Sequence, residues 1–188
     1  MKLLSLCASI AVFGLFSSFS GAQELERFVR YSQGDGEIHW GMVHGDEVYQ
    51  LAGAPYETME HTGTKFMRDE LRMEAPVDPK LVFMTALNFR SHITGEPAEY
   101  PGLFIVPASS IVGPEDAIVR PAESENLHYE AEMAVVIGKR AENVTVDEAH
   151  EYIFGVTAGN DVSERAWQSG DIQWVRAKGS KGFNAVGP

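Results

Sequence analysis

Residues 128–138 read HYEAEMAVVIG. The apolar and β-branched residues of this stretch predict a strand, whose side chains alternate between two faces. Glu130 and Glu132 are therefore expected on the same face, roughly 7 Å apart at their Cα atoms. Two carboxylates so placed repel each other and lose solvation unless a positive group lies between them. A hard divalent cation is the simplest candidate, and Asp161, at the end of the next apolar segment, is a candidate third ligand.

The plain alternative is that these carboxylates form the solvated face of an edge strand, and the residues alone leave the two interpretations nearly even. The same face continues into Ala134 and Val136, which favours a buried setting. Three carboxylates with no nearby cysteine favour an oxygen-seeking ion over zinc. His128 is a further candidate ligand, although a histidine in this position is more often a packing residue.

Local signals predict further elements on both sides of this strand. Downstream, Thr145 and Glu148 form a capping-box pattern, which predicts a helix that stops at Gly155. Residues 163–168 predict one or two helical turns, with Arg165 and Gln168 on one side. Apolar runs predict short strands at residues 81–87, 103–106 and 156–159.

The N-terminal part predicts a small β module. Residues 24–51 hold three short runs separated by Gly-Asp turns at 34–36 and 45–46. Residues 56–73 are polar and predict a poorly packed helix, and prolines at 76 and 79 mark a linker. We therefore expect a leader over 1–22, a β module over 23–75 and a main domain over 76–188.

The first 22 residues predict a secretory signal peptide. Lys2 precedes a mostly apolar run, and residues 20–22 are small, as signal peptidase requires. The run is short for a membrane span, which makes an uncleaved anchor the alternative. The prediction is a secreted or periplasmic protein with no membrane association after cleavage. Cys7, the single cysteine of the sequence, lies in this segment, so the mature chain is expected to contain no disulfide.

Length and charge limit the classes of function. The 188 residues are 44% hydrophobic and 22% charged, which suits one globular domain with a small added module. The formal net charge of -12 argues against nucleic acid or an anionic membrane surface as the partner. A small-molecule ligand is compatible with both observations.

Several motifs follow one another in the second half of the chain. They are ALNFRSH at 86–92, HYEAE at 128–132, YIFG at 152–155, NDVSERAWQ at 160–168 and RAKG at 176–179. Taken in this order, they resemble the fumarylacetoacetate hydrolase family over residues 81–188. The resemblance implies an α+β, mainly β fold, which is a mixed β-roll with few helices, and it implies a homodimer.

The resemblance also implies roles for the acidic and polar residues of these motifs. Glu130, Glu132 and Asp161 match the family's ligands for Mg²⁺, Mn²⁺ or Ca²⁺. Arg165 and Gln168 match residues that contact the substrate. The implied substrate is a small diketo acid.

The implied catalytic residues come with departures from the family pattern. Lys178 matches a lysine of the catalytic site, and His92 matches a histidine that activates water. Relatives often carry a glutamate three residues after this histidine, where Gly95 stands here. Glu96, one residue later, is the candidate catalytic partner of His92. Val106 replaces a lysine of the family. The family's C-terminal part, with a Gly-Thr-Pro turn, is absent, so the resemblance describes a C-terminally truncated member.

Three functions are compatible with these residues. The resemblance implies metal-dependent hydrolysis of a carbon–carbon bond in an acylpyruvate or related diketo acid. The same enolate chemistry serves an isomerase or decarboxylase that acts on a 2-hydroxymuconate- or oxaloacetate-type acid. A truncated, non-catalytic remnant that still binds metal is the alternative from another class, and a purely structural secreted β module is a weaker one.

Overall fold

A computed structural model describes residues 25–34 and 36–187. The predicted leader over 1–22, Cys7 within it and Asp35 in the middle of the first predicted turn lie outside the described residues. Secretion therefore stays a prediction. Within the described part, no helix is long and apolar enough to cross a lipid bilayer.

The N-terminal part forms a five-stranded antiparallel sheet in the order β4-β3-β2-β1-β5. Its core contains Tyr31 and Val48, both fully buried, with Val29, Leu71 and Met73 packed around them. The three short strands predicted for this part are confirmed. The strands are β1 (Phe28–Ser32), β2 (His39–His44), β3 (Glu47–Leu51), β4 (His61–Met67) and β5 (Arg72–Glu74).

The helix predicted over residues 56–73 is wrong, because this segment contains β4 and β5. Strand β4 is the edge strand of the sheet, and nearly all of its side chains are exposed. An exposed edge strand does not need the alternation of apolar and polar residues that marks a half-buried strand. Its polar sequence therefore gave no strand signal.

The remaining strands form three smaller sheets. Strands β6 and β7 pair with each other, β9 pairs with β12, and a four-stranded sheet has the order β10-β11-β13-β8. Two short helices follow β12, so the expected mainly β fold with few helices is confirmed. These elements are β6 (Val82–Ala86), β7 (Gly102–Val106), β8 (Ile111–Val112), β9 (Leu127–His128), β10 (Ala131–Ile137), β11 (Ile153–Asp161), β12 (Ser163–Glu164), α1 (Arg165–Gly170), α2 (Val175–Gly179) and β13 (Asn184–Val186).

The helix predicted between Thr145 and Gly155 is also wrong. The capping contact forms as expected, because Glu148 Oε2 accepts hydrogen bonds from the Thr145 backbone N–H and hydroxyl. A single 3₁₀ turn, Ala149–Tyr152, follows this contact. Ile153 and Gly155 belong to β11, which pairs with β10 along its length.

Strand β10 has two different faces. Glu132, Ala134 and Val136 are half-buried on the inner face, as the alternation predicted. Met133, Val135 and Ile137 are exposed on the outer face, with Met133 67% exposed. In the sheets of the described residues β10 pairs with β11 alone, so its other edge is free. This outer face and edge form an apolar surface without a cover in the described chain.

The two parts of the chain pack against each other through aromatic rings and a tight turn. The ring of Phe154 on β11 lies 5.3 Å from Phe28 and 5.7 Å from Tyr56, measured between centroids. The turn at Gly113 lies against the backbone that leaves β5. A Cβ placed on Gly113 would lie 2.9 Å from the Ala75 nitrogen. This junction places the N-terminal sheet beside β11, whose far end carries Asp161.

We expect Gly113→Ala to destabilise the protein by about 1–3 kcal/mol, because the added methyl group meets backbone atoms that have little room to move. Urea unfolding followed by tryptophan fluorescence measures this change. Gly155→Ala is the matched control, since a Cβ at Gly155 meets nothing within 4 Å. Equal free energies of unfolding for the two variants would show that the backbone at this junction moves to accommodate the methyl group.

Candidate active site

A cleft of about 680 Å³ opens between the β6–β7 pair and the start of β10. Aromatic residues Phe89, Phe104, Tyr129 and Trp174 form part of its wall. Seven of the eight site residues expected from the sequence line this one cleft. They are His92, Glu130, Glu132, Asp161, Arg165, Gln168 and Lys178.

Lys178 lies at the centre of the polar network in this cleft. The residue is 3% exposed, and its ammonium Nζ donates to Asp161 Oδ2 at 2.5 Å and to Ser163 Oγ at 2.7 Å. It also pairs with Glu130 Oε1 at 3.0 Å. The Ser163 hydroxyl in turn donates to Glu130 Oε1 at 2.5 Å. Two carboxylates, one hydroxyl and one ammonium therefore form a connected cluster, in which Glu130 is half-buried and the other three groups are buried.

The local backbone explains how a lysine reaches this depth. Lys178 lies in α2 next to Ala177, which is fully buried. The following residue, Gly179, lies against Pro107, and a Cβ on it would come within 2.6 Å of the proline ring. Glycine at this position lets α2 approach β7 closely, which brings the lysine ammonium over the ring of Phe104.

The carboxylates are held by the pairing of β10 with β11. The Asp161 backbone N–H donates to the Glu130 carbonyl at 2.9 Å, and the Glu130 N–H donates to the Asn160 side chain at 3.1 Å. Glu132 lies opposite Gly159 in the register of the two strands. The expected position of Asp161 at the end of an apolar strand is confirmed. Glu130 immediately precedes β10, whereas Glu132 lies within it.

Around Glu132, negative charge exceeds positive charge. Burial and the negative charges of Asp161 and Glu130 raise the pKa of Glu132. Burial raises the pKa of Asp161 in spite of its hydrogen bond from Lys178. Burial also opposes ionisation of Glu130, but hydrogen bonds from Ser163 and Lys178 outweigh it and lower the pKa of Glu130. Excess negative charge beside Glu132 is the electrostatic condition that favours a bound cation.

The donor set fits a hard divalent ion in its chemistry, although the three carboxylates do not form a closed ligand shell. Asp161 Oδ1 is buried and receives no hydrogen bond from any described residue. Carboxylate oxygens are the ligands that Mg²⁺, Mn²⁺ and Ca²⁺ prefer. Across residues 25–34 and 36–187, no three acidic, histidine or cysteine side chains are arranged to hold a metal ion. Because Lys178 contacts both Glu130 and Asp161, joint metal binding by these two residues and Glu132 stays a prediction.

Arg165 and Gln168 lie together on α1, as their spacing predicted. Arg165 Nη1 donates to Gln168 Oε1 at 2.7 Å, and Nη2 lies 2.8 Å from Glu130 Oε1. The guanidinium is about one third exposed, so it faces both the buried cluster and the open cleft. A planar donor in this position suits an anionic ligand that enters from solvent.

His92 and Glu96 have different positions relative to the cleft. His92 ends a 3₁₀ turn, Arg90–His92, and its exposed ring lines the cleft beside Phe89. Glu96 is exposed and does not line the cleft. Gly95 between them has a φ of 91°, a left-handed conformation that favours glycine. A glutamate at position 95 would be strained in this turn. Within the described chain, His92 and Glu96 form no hydrogen bond or ion pair with each other.

Three further residues belong to the site and were not expected from the sequence. Ser163 is fully buried and bridges Lys178 to Glu130. Phe104 and Trp174 line the cleft with their ring centroids 5.3 Å apart. Trp174 is half-buried and forms part of this wall. Val106, which stands where the family has a lysine, is the last residue of β7 and is fully buried.

Family comparisons match almost the whole described chain. The profile of the fumarylacetoacetate (FAA) hydrolase C-terminal domain matches residues 81–188, and that of the Rv2993c-like N-terminal domain matches residues 26–76. Among curated relatives, protein Rv2993c of Mycobacterium tuberculosis is 36% identical over 163 residues, which are 85% of this chain and 61% of that protein. The chain therefore spans about three fifths of the length of this relative.

Relatives with named activities differ in the reaction they catalyse. Caffeoylpyruvate hydrolase of Neonothopanus nambi is 39% identical over 108 residues, covering 53% of this chain and 37% of the relative. Oxaloacetate tautomerase fahd2 of Xenopus laevis is 32% identical over 150 residues, covering 77% and 46%.

A solved structure extends the comparison to the fold. The 5-carboxymethyl-2-hydroxymuconate delta-isomerase of Mycobacterium smegmatis superposes with a TM-score of 0.79 at 33% identity, over 87% of this chain and 65% of that chain. Proteins of this family are typically enzymes that act as hydrolases, isomerases or tautomerases, and they commonly depend on a divalent metal. Since the C-terminal profile matches more than half of the sequence, the chain belongs to the fumarylacetoacetate hydrolase family.

Proposed function

We propose that this chain carries the site of a divalent-metal-dependent hydrolase that cleaves a carbon–carbon bond in an acylpyruvate or related diketo acid. The observation that carries the proposal is the single cleft in which three carboxylates, a buried lysine, an arginine–glutamine pair and a histidine meet. Similarity to caffeoylpyruvate hydrolase supports the same substrate class. The acidic net charge does not prevent binding of an anionic acid, because Arg165 and Lys178 line the cleft and a bound divalent ion would add positive charge beside them.

The polar end of the substrate is assigned to Arg165, Gln168 and Lys178. The Arg165 guanidinium presents a planar pair of donors that matches a carboxylate. Lys178 Nζ, which Asp161 and Glu130 hold in place, is assigned to stabilise an oxyanion next to the carboxylate by its positive charge. Phe104 and Trp174 form an apolar wall against which the acyl part of the substrate packs.

Glu130, Glu132 and Asp161 are assigned as metal ligands, and a bound divalent ion supplies Lewis-acid polarisation of the 2-oxo acid oxygens. His92 at the cleft wall accepts a proton from a water molecule whose oxygen attacks the distal acyl carbonyl carbon. The bond between that carbon and the pyruvate methylene breaks, and its electron pair forms the pyruvate enolate. Protonation of the enolate carbon then gives pyruvate, while the acyl group leaves as a carboxylic acid.

A second candidate is an isomerase or tautomerase that acts through the same enolate without breaking a carbon–carbon bond. Two observations favour it. An oxaloacetate tautomerase is similar in sequence, and a hydroxymuconate isomerase is similar in structure. In addition, the exposed Glu96 lies outside the cleft, so among the described residues it does not help His92 to activate water.

Single-turnover assays on acetylpyruvate test the proposal. We expect cleavage with Mg²⁺ or Mn²⁺ and none after EDTA treatment. His92→Asn is expected to lower the rate constant about 10²–10⁴-fold, because the general base is lost. The same variant is expected to retain Mn²⁺ binding, read from water-proton relaxation, whereas Glu132→Gln is expected to lose it. His150→Asn is the matched control, since His150 is exposed and does not line the cleft.

Each contrary result has a separate meaning. Cleavage that survives EDTA excludes the proposed metal role. Enolisation of oxaloacetate, followed by ultraviolet absorbance, without cleavage of acetylpyruvate favours the second candidate. Mn²⁺ binding without turnover of either acid favours a non-catalytic remnant that retains the metal site.

A further inference from the structure

Glu164 is a fully buried carboxylate that lies next to the site and plays no part in the proposed reaction. Its Oε2 accepts a hydrogen bond from the Trp167 backbone N–H at 2.7 Å. Its Oε1 accepts from the N–H groups of Asn126 at 2.5 Å and Glu125 at 3.2 Å. In the part of the chain that the structure describes, Glu164 forms no ion pair with a lysine or arginine. Peptide N–H groups therefore supply the hydrogen bonds to this buried carboxylate, and Arg176 adds a longer-range electrostatic attraction.

The backbone donors around Glu164 offset the free-energy cost of burying its charge. Burial of a carboxylate is costly unless donors surround it. Burial opposes ionisation of Glu164, but the backbone N–H groups of Trp167, Asn126 and Glu125 outweigh it and lower the pKa of this carboxyl. Backbone donors are fixed by the chain, so the carboxylate holds the segments that supply them in one relative position.

The two segments joined in this way are the chain before β9 and the first turn of α1. Glu164 pairs with Leu127 between β12 and β9, and the Arg165 N–H donates to the Asn126 carbonyl at 2.9 Å. Helix α1 has six residues, and an isolated helix of this length is not stable in water. Its orientation therefore depends on the contacts at its N-terminal end.

Glutamate at the N-cap of α1 also distinguishes this contact from an ordinary helix cap. Short side chains such as serine, threonine, aspartate and asparagine are preferred at a helix N-cap. The longer glutamate reaches past the helix and binds residues 125–126 as well. Glu148 is a glutamate with a purely local contact, since it is exposed and accepts hydrogen bonds from Thr145 within its own turn.

We propose that Glu164 is a positioning residue, whose carboxylate fixes α1 against residues 125–126 and thereby sets Arg165 and Gln168 in the cleft. Arg165 directly follows Glu164, and its guanidinium reaches both Gln168 and Glu130. The substrate part of this inference rests on the proposed function. The geometric part concerns the order of the Arg165 side chain and is independent of turnover.

Glu164→Gln in the full chain tests both parts. The amide keeps one acceptor oxygen but turns an NH₂ group toward backbone N–H donors, so one of the two segments is released. We expect the NMR order parameter of the Arg165 side-chain Nε–H to fall and the Asn126 and Trp167 amides to exchange faster. We expect oxalate, a mimic of the 2-oxo acid enolate, to bind Mn²⁺-loaded protein about tenfold more weakly. Glu148→Gln is the matched control and should leave all three measurements unchanged.

The outcomes separate this inference from the proposed function. An Arg165 side chain that is equally ordered in Glu164→Gln overturns the positioning role. Normal oxalate affinity in Glu164→Gln, with the unsubstituted protein binding oxalate, overturns it as well and leaves the proposed function intact. If the unsubstituted protein binds Mn²⁺ but no oxalate, the proposed function fails, and loss of Arg165 order then confines Glu164 to a structural role.

Discussion

Replacement of Lys178 by methionine is expected to destabilise the protein by about 3–5 kcal/mol, because it leaves Asp161 and Glu130 as buried carboxylates without their shared cation. Methionine keeps most of the volume of the lysine stem, so the packing against Phe104 changes little. The expected loss is therefore electrostatic. Urea unfolding at neutral pH, followed by tryptophan fluorescence and analysed by linear extrapolation, measures it.

Arg176→Met is the matched control for this variant. Arg176 lies on the same helix and pairs with Asp171, but its side chain is 58% exposed. An exposed ion pair contributes no more than about 1 kcal/mol. The double variant Lys178→Met/Asp161→Asn should recover part of the loss, because it removes the buried charge of Asp161, whereas Glu130 keeps its ion pair with Arg165 in both variants. If Lys178→Met lowers the free energy of unfolding by no more than Arg176→Met does, water solvates the carboxylates of the cluster and Lys178 does not stabilise them.

Phe183→Ala is expected to cost about 3–5 kcal/mol, because it leaves a cavity in the part of the core that supports the site. Phe183 is 0% exposed and is one of the largest fully buried side chains among the described residues. Its carbonyl accepts a hydrogen bond from the Val162 N–H at 2.9 Å, and its N–H donates to the Ser180 carbonyl at 3.0 Å. It therefore lies between the residue that follows Asp161 and the end of α2, which carries Lys178.

Phe83→Ala is the control for the size and chemistry of this change. Phe83 lies on β6 and is 62% exposed, so its removal leaves no cavity. We expect the free energy of unfolding to change by less than about 1 kcal/mol in this variant. Equal losses in the two variants would mean that Phe83 is covered in solution, or that the surroundings of Phe183 collapse to fill the space.

The strand that carries the acidic residues was predictable because one of its faces is half-buried. Glu132, Ala134 and Val136 share that face, and the period of two is visible in the sequence. The position of Asp161 was also predictable, because this residue lies at the end of the next apolar strand. The resemblance then supplied roles that spacing alone does not give, such as those of His92 and Lys178.

The segment between Thr145 and Gly155 shows why a local signal failed. A capping contact between Thr145 and Glu148 stabilises the first turn of a helix or an isolated turn equally well. Tyr152 and Ile153 completed an apparent helical face, but Ile153 belongs to β11 and pairs with Ile137. Long-range strand pairing decided the structure, and a window of eleven residues does not contain that partner.

Ser163 and Glu164 were not predictable as buried residues. In a sequence, a serine and a glutamate next to an arginine are typical of a solvent-exposed turn. Their burial follows from partners that lie far along the chain, such as Glu130 for the serine and Asn126 for the glutamate. These residues belong to a motif of the sequence, but only the three-dimensional structure shows their contacts.

The outer face of β10 has a consequence for the behaviour of the protein at high concentration. Met133, Val135 and Ile137 offer each molecule an apolar surface beside a strand edge that no described strand covers, and Glu132 is the single charged residue of β10 that opposes pairing at this edge. A net charge of -12 makes neighbouring molecules repel one another. The range of that repulsion is about 10 Å at 0.1 M salt and about 3 Å at 1 M. Colloidal stability therefore depends on ionic strength, and dilute buffers protect the protein better than concentrated salt.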